Sequence, residues 1–313
     1  MPESLKVLRR RVRSVKNTRQ ITRAMEMVSA SKLKRAESAL LAAKPYNQRL
    51  SDMLRRLVLS GKTPENPLFA TRDEVKTRLL VVFAADRGLC GAYNANILKA
   101  VENFLKRSAD EGVGVRVVAV GRRAVEYFQK KQRQVPLIAD FQQHGGRVTV
   151  ELARGIADAC IKDFTDGQSD EVLFLYNRFI STTRYRITID KFLPFDRQVF
   201  SSADAADAAA EGSPEGAAAT APDNAATLDY IYEPDAGRVF ETLLPRFIQS
   251  KVYVALASSM TSEHSARMIA MNSATKNCGE LIEKLTLQMN KARQAAITKE
   301  IIEIVSGAQA IGG

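Results

Sequence analysis

From Glu263 to Ser306, the residues Met268, Met271, Thr275, Cys278, Ile282, Leu285, Met289, Ala292 and Ala296 step by alternating threes and fours. That is a heptad seam sustained for about four heptads. The other faces carry Arg267, Lys276, Glu280, Glu283, Lys284, Lys291, Arg293 and Lys299, so a narrow apolar line has to be covered, not a broad face. This predicts a partner helix of similar length in place of a helix lying on its own domain. Residues 1–60 supply one. Ser4 is predicted to cap a helix beginning at Leu5, and Leu5, Leu8, Val12 and Val15 follow the same spacing. The stripe lapses from Lys16 to Gln20, where the helix is expected to face something other than its mate. It resumes at Ile21, Met25 and Val28 and ends in the apolar run Leu50 to Leu59. The two chain ends are therefore predicted to close an antiparallel coiled coil. Pro45 lacks an N–H and crowds the preceding turn, which predicts a kink there or the end of the helix's first segment.

Between the terminal helices the pattern changes. After the turn-rich stretch Gly61 to Pro67, strands are predicted at 78–85, 115–120, 135–140 and 171–177, alternating with helices at 95–108, 122–130 and 148–165. A last alternating segment runs through Tyr185. Strands alternating with helices imply a mostly parallel sheet. The expected fold class is α/β, a Rossmann-like domain over residues 68–200 joined to the coiled-coil helices 1–60 and 235–313. The second of these is expected to be interrupted or bent at Pro245. Residues 201–229 are Ala-rich and acidic, with no Lys, Arg or aromatic residue from Ser201 to Thr227, and are read as a mobile insertion. Tyr230 to Tyr232 is expected to return as a short edge strand.

Charge is unevenly distributed. Residues 1–60 hold 15 Lys and Arg against four acids, which accounts for the whole formal charge of +11. Such a helix suits nucleic acid, an anionic membrane surface or an acidic protein face. No run of about 18 apolar residues occurs, and the basic start lacks an apolar signal core, so neither a membrane span nor export is expected. An Arg-rich, acid-poor start also fits an organellar transit peptide, but the seam already begins at Leu5. Three well-separated cysteines, Cys90, Cys160 and Cys278, with no CxxC, suit a reducing compartment, and the histidines His144 and His264 add no metal signature.

Reactive constellations are absent from this reading. Asp86 to Asn94 follows a strand and precedes a helix, where α/β folds place ligand loops, yet it matches neither GxGxxG nor GxxxxGK[ST]. Cys90 has no His near it in sequence and reads as an inert thiol. Asp158, Asp163 and Asp166 read as a solvated face. No catalytic residue, cofactor or metal is assigned.

Four segments carry a family resemblance: SVKNTRQITRAMEMVSASKL from Ser14 to Leu33, DRGLCG from Asp86, ARMIAM from Ala266, and KARQAAITKEIIEIVSG from Lys291. Through them the chain is similar, over nearly its whole length, to the gamma subunit of F-type ATP synthases. The resemblance implies a non-catalytic rotor shaft of a proton-translocating synthase, its coiled coil inside a ring of alternating alpha and beta subunits. It also implies an α/β domain at the foot against the epsilon subunit and the c-ring. Arg23 and Met25, together with Arg267, Gln294 and Thr298, would then serve coupling and contacts to beta. The Asp86 to Gly91 loop, with Arg87 and Cys90, would face the same moving lever. Ile301 and Ile304 lie in an apolar tip, Ile297 to Val305, that one mate cannot cover, and the ring would enclose it. Membrane association would be peripheral, at the cytoplasmic face of a bacterial inner membrane and only through the c-ring. The acidic insertion departs from the family pattern and would be a spacer or a brake. The residues by themselves also fit a basic coiled-coil nucleic-acid-binding protein or an α/β nucleotide-binding enzyme. Against the former, residues 1–45 contain no Phe, Tyr or Trp for base stacking.

Overall fold

The computed structural model describes residues 5–60, 64–70, 72, 74–131, 135–142, 146–195 and 232–311. The chain divides into two compact units, Lys32–Ser265 and a second made of Met1–Ser31 with Ala266–Gly313. Helix α1 (Leu5–Leu59) and the last helix, α5 (Ala236–Ile311), each contribute to both.

In the unit Lys32–Ser265, a 3-10 turn (Pro67–Phe69) leads to β1 (Thr77–Phe83), α2 (Tyr93–Asp110), β2 (Gly114–Val120), α3 (Arg122–Lys131) and β3 (Leu137–Phe141). Then follow α4 (Val150–Thr165), β4 (Glu171–Ser181) and β5 (Arg184–Leu193). The sheet order is β3-β2-β1-β4-β5; the first four strands are parallel and β5 runs antiparallel to β4. β1 is central, and its Leu79 to Phe83 run is fully buried because helices cover both faces of such a sheet. One apolar core holds Leu79, Val81, Phe83 and Phe174 together with Leu50, Leu54 and Leu57 of α1 and Phe240, Phe247, Ile248 and Val252 of α5.

Neither proline ends its helix. α1 runs through Pro45 for 55 residues, and α5 runs through Pro245 for 76. Both rings lie on exposed faces, as do Leu41 and Glu241 four residues earlier, whose carbonyls lose their helical donors and reach water instead. Buried side chains on both sides, Leu40 and Leu50 in one helix, Leu244 and Phe247 in the other, hold each helix together across the proline. Asp158 and Asp166 are exposed, but Asp163 is not part of a solvated face. Its carboxylate is buried and accepts from the Arg116 guanidinium at 2.8 Å, because α4 turns that side of itself toward β2. The acidic insertion, Tyr230, Ile231 and His144 lie outside the described residues, and Tyr232 is not in a strand.

Asp170 ties the start of β1 to the start of β4. Its carboxylate accepts the backbone N–H groups of Lys76 and Thr77, both at 2.8 Å, and pairs with Arg72. Burial alone would raise this carboxyl, but the two amides and Arg72 outweigh it and hold its pKa below the usual value. A carboxyl depressed in the folded state contributes stability that is complete above its unfolded pKa, near ~3.9, and is lost as pH falls through the folded one. Asp170→Asn is expected to lower stability at pH 7 by about 1–3 kcal/mol and to flatten its acid dependence below that value, measured by urea unfolding across pH.

In the coiled-coil unit, Leu8, Val12 and Leu285 are buried together against Val15, Met289 and Ala292. Farther along α1, Thr275 meets Thr22 and Asn272 meets Glu26, so the helices run antiparallel. The register of α1 is continuous through the apparent lapse, but its line is Thr22 and Ser29, at 8% and 3% exposure, not Ile21 and Val28, at 60% and 57%. From Arg293 to Ser306 every residue of α5 is exposed, beyond the apolar cluster that covers the start of α1.

Candidate functional site

In an open α/β sheet the ligand crevice lies at the carboxyl ends of the strands, where strand order reverses. Here that point lies between β1 and β4, and it is filled by the chain itself. Tyr93, fully buried, brings its hydroxyl to the Ser259 carbonyl at 3.0 Å and the Ser259 hydroxyl at 2.8 Å. The Phe179 N–H donates to Ser258 Oγ at 2.8 Å, and Ser262 Oγ donates to the Asn177 carbonyl at 3.2 Å. Ser265 donates to the Thr182 carbonyl. Burial, then the nearby Glu263 charge, push the Tyr93 phenol well above its usual pKa, so it stays a neutral structural donor. The polar run Ser258 to Ser265 of α5 thus replaces a ligand, and sequence reasoning had missed it because Ser and Thr on a long helix look solvated. Among the described residues no group of acids, His and Cys is placed to hold a metal ion.

The loop after β1 is rigidly held. Asp86 Oδ1 accepts the Arg122 N–H at 3.0 Å, Asn94 Oδ1 accepts the Ala85 N–H at 3.1 Å, and Asn94 Nδ2 donates to Cys90 Sγ at 3.2 Å. Cys90 is 2% exposed, so of the two residues singled out here Arg87 is on the surface and Cys90 anchors the loop from inside. The residue the loop presents is Leu89, 64% exposed and at φ 61°, a conformation costly for a residue with a Cβ. Periodicity carries no signal for it, since a loop has none.

The remaining named residues belong to the coiled-coil unit. Arg23 is exposed, Met25 half-buried, and Arg267 only 8% exposed, so Arg267 acts from within the chain. Gln294 and Thr298 are one helical turn apart on the exposed end of α5, where the Thr298 hydroxyl donates to the Gln294 carbonyl at 3.0 Å. Next to them stand Ile297, Ile301, Ile302, Ile304 and Val305, 49–70% exposed, with one exposed ion pair between Lys299 and Glu303 at 3.5 Å. Contiguous exposed apolar surface of this kind marks sites of contact with another molecule in other proteins. No helix among the described residues is long and apolar enough to cross a membrane. What the arrangement offers among the described residues is exposed contact surface.

A family model described as ATP synthase matches residues 4–311. The ATP synthase gamma chain of Geobacter metallireducens is 41% identical over 310 residues, 99% of each chain, and that of Moorella thermoacetica 41% over 304 residues, 97% of this chain and 98% of the relative. Among solved structures, the fold resembles a chain of the Euglena gracilis mitochondrial ATP synthase with a TM-score of 0.63 at 17% identity, covering 98% of this chain and 94% of the other. It also resembles one from the central stalk and c-ring of the Tetrahymena thermophila enzyme, with a TM-score of 0.56 at 24% identity, covering 81% and 99%. Identity of this order along the full length of both sequences, on the same fold, means that the chain belongs to the ATP synthase gamma chain family.

Proposed function

We propose that the chain is the central shaft of an F-type, proton-translocating ATP synthase and carries torque between a membrane c-ring and the catalytic alpha and beta subunits. The observation that carries this reading is the end of α5, an exposed helix whose isoleucines are covered by none of the described residues of the coiled coil. Inside a ring of subunits such an end turns in an apolar sleeve. Below it the exposed Arg9, Arg10, Arg13, Lys16, Arg19 and Arg23 give α1 a basic face for acidic levers on beta, a contact that slides because it is electrostatic and screened. Arg23, Met25, Gln294, Thr298, Ile301 and Ile304 make the coupling contacts, with Arg87 and Leu89 doing so from the globular unit. Arg267 and Cys90 position their neighbours. The α/β unit seats on the epsilon subunit and the c-ring. The chain is peripheral, at the cytoplasmic face of a bacterial inner membrane.

Co-expression with the other subunits tests this. The chain is expected to co-purify in a complex that hydrolyses ATP, and the chain alone to bind ATP no better than weakly. A monomer with salt-sensitive DNA binding, or with micromolar ATP affinity of its own, would overturn the reading.

A further inference from the structure

Two faces of α1 compete for the seam of the coiled coil. Leu8, Val12, Val15, Arg19, Thr22, Glu26 and Ser29 keep one heptad register, while Ile21, Met25 and Val28 keep the same spacing one residue earlier. Between residues 21 and 29 burial of apolar surface by itself favours the second set, while Leu8 and Val12 at the start of α1 favour the first. The structure takes the first, and leaves Ile21 60% and Val28 57% exposed while burying the hydroxyls of Thr22 and Ser29. Besides the burial of Leu8 and Val12, polar contacts across the helix pair support that choice. The Thr275 hydroxyl stands 2.9 Å from the Thr22 hydroxyl and 2.8 Å from the Met271 carbonyl of its own helix, so its one proton is shared between them, while the Thr22 hydroxyl donates to the Arg19 carbonyl at 3.0 Å. One turn along, Asn272 Nδ2 donates to Glu26 Oε1 at 2.7 Å. Ser29 has no such partner across the pair, since its hydroxyl donates to the Met25 carbonyl of its own helix at 2.7 Å.

We propose that Thr275 and Asn272 are a rotational lock, fixing α1 about its own axis so that the apolar Ile21 and Val28 face outward, with the half-buried Met25 beside them. Without the lock, the stretch of α1 from Arg19 to Ser29 relaxes toward the other register, one residue or about 100° away, and turns this stripe toward the seam, while Leu8 and Val12 hold the start of α1 in place. This rests on the shaft reading for its consequence, because an outward stripe matters only if the turning shaft has to present it to the ring. The lock itself does not depend on that reading. It matches a known use of polar seam residues, which specify register at a cost in stability.

The test uses the full chain without partners, in a Cys278→Ala background. Cys90 and Cys160 are buried and label slowly. Single cysteines are introduced as Ile21→Cys, Val28→Cys and, as a control on the opposite flank, Met27→Cys, and maleimide labelling rates are measured with and without Thr275→Ala plus Asn272→Ala. Unlocking is expected to slow labelling at positions 21 and 28 by at least about threefold while leaving position 27 unchanged. Thr275→Ser, which keeps the hydroxyl, is expected to label like its parent. Unchanged rates at 21 and 28 would overturn the proposal. So would faster labelling at all three positions, which would mean that the bonds hold the helices together without setting their rotation. Assembly of the same unlocked variant with the ring then tests the shaft reading separately: a rotated but fully active shaft would sink the functional consequence and leave the lock standing.

Discussion

Ile301→Asp with Ile304→Asp is expected to leave the helix content of the isolated chain nearly unchanged and to weaken its assembly with the alpha and beta ring by two or more orders of magnitude. The first half follows from exposure. The two side chains are 55% and 70% exposed, and every residue from Arg293 to Ser306 is exposed, so no packing within the chain is lost. The propensity cost of the exchange is a few tenths of a kcal/mol per site, too little to melt a helix anchored along the coiled coil. The second half follows from what the ring would lose. Burying an isoleucine on assembly is worth roughly 1.5–3 kcal/mol, and an aspartate forced into an apolar sleeve adds a desolvation cost. Two sites together therefore weaken binding by about 3–6 kcal/mol, where each 1.4 kcal/mol is tenfold. Circular dichroism and native-gel assembly measure the two halves independently. A large loss of helix in the isolated variant would mean that the tip packs within its own chain, and unimpaired assembly would mean that no tight sleeve surrounds it.

Gly121→Ala is expected to unfold or severely destabilise the α/β unit, with a loss of about 4 kcal/mol or more in urea unfolding. Gly121 follows β2 at φ 92°, outside the regions open to a residue with a Cβ, and an added Cβ would stand 2.0 Å from the Ala84 carbonyl oxygen. That oxygen belongs to the backbone immediately after β1 and cannot move alone. The Ala84 N–H donates to the Val120 carbonyl at 2.9 Å, and the Gly121 N–H to the Phe141 carbonyl at 2.7 Å, so relief of the clash would pull apart the ends of three neighbouring strands. The same place positions the Asp86 loop through Arg122. Gly279→Ala is the matched control, since nothing lies within 4 Å of its added Cβ. It is expected to be neutral or slightly stabilising by the same measurement. A Gly121→Ala variant as stable as its parent would show that the strand ends are not rigidly coupled.

How much of this was legible from residues alone depended on the range of the interaction that decides each feature. The Leu8, Val12, Val15 line, the Met268 to Ala292 line and the crowded isoleucines at the end of α5 were readable because a heptad repeat and its breakdown are written within a few turns of one helix. The alternation of strands and helices between residues 77 and 193 was readable for the same reason, although strand order was not. The choice of Thr22 and Ser29 over Ile21 and Val28 was not readable from those residues, because it rests in part on Thr275 and Asn272, some 250 residues away, meeting α1 at hydrogen-bond distance. That the helices continue through Pro45 and Pro245 was not readable, because a proline's cost depends on whether the carbonyl it orphans faces water, and that is set by which side of the helix the core takes. Asp163 reads as surface, and the Ser258 to Ser265 run carries no signal, because their partners, Arg116 in one case and the backbone of β4 and the β4–β5 turn in the other, come from other elements. Tertiary structure decided these features because a polar group's burial is affordable only where a distant donor or acceptor completes it, and no local pattern records where that partner will be.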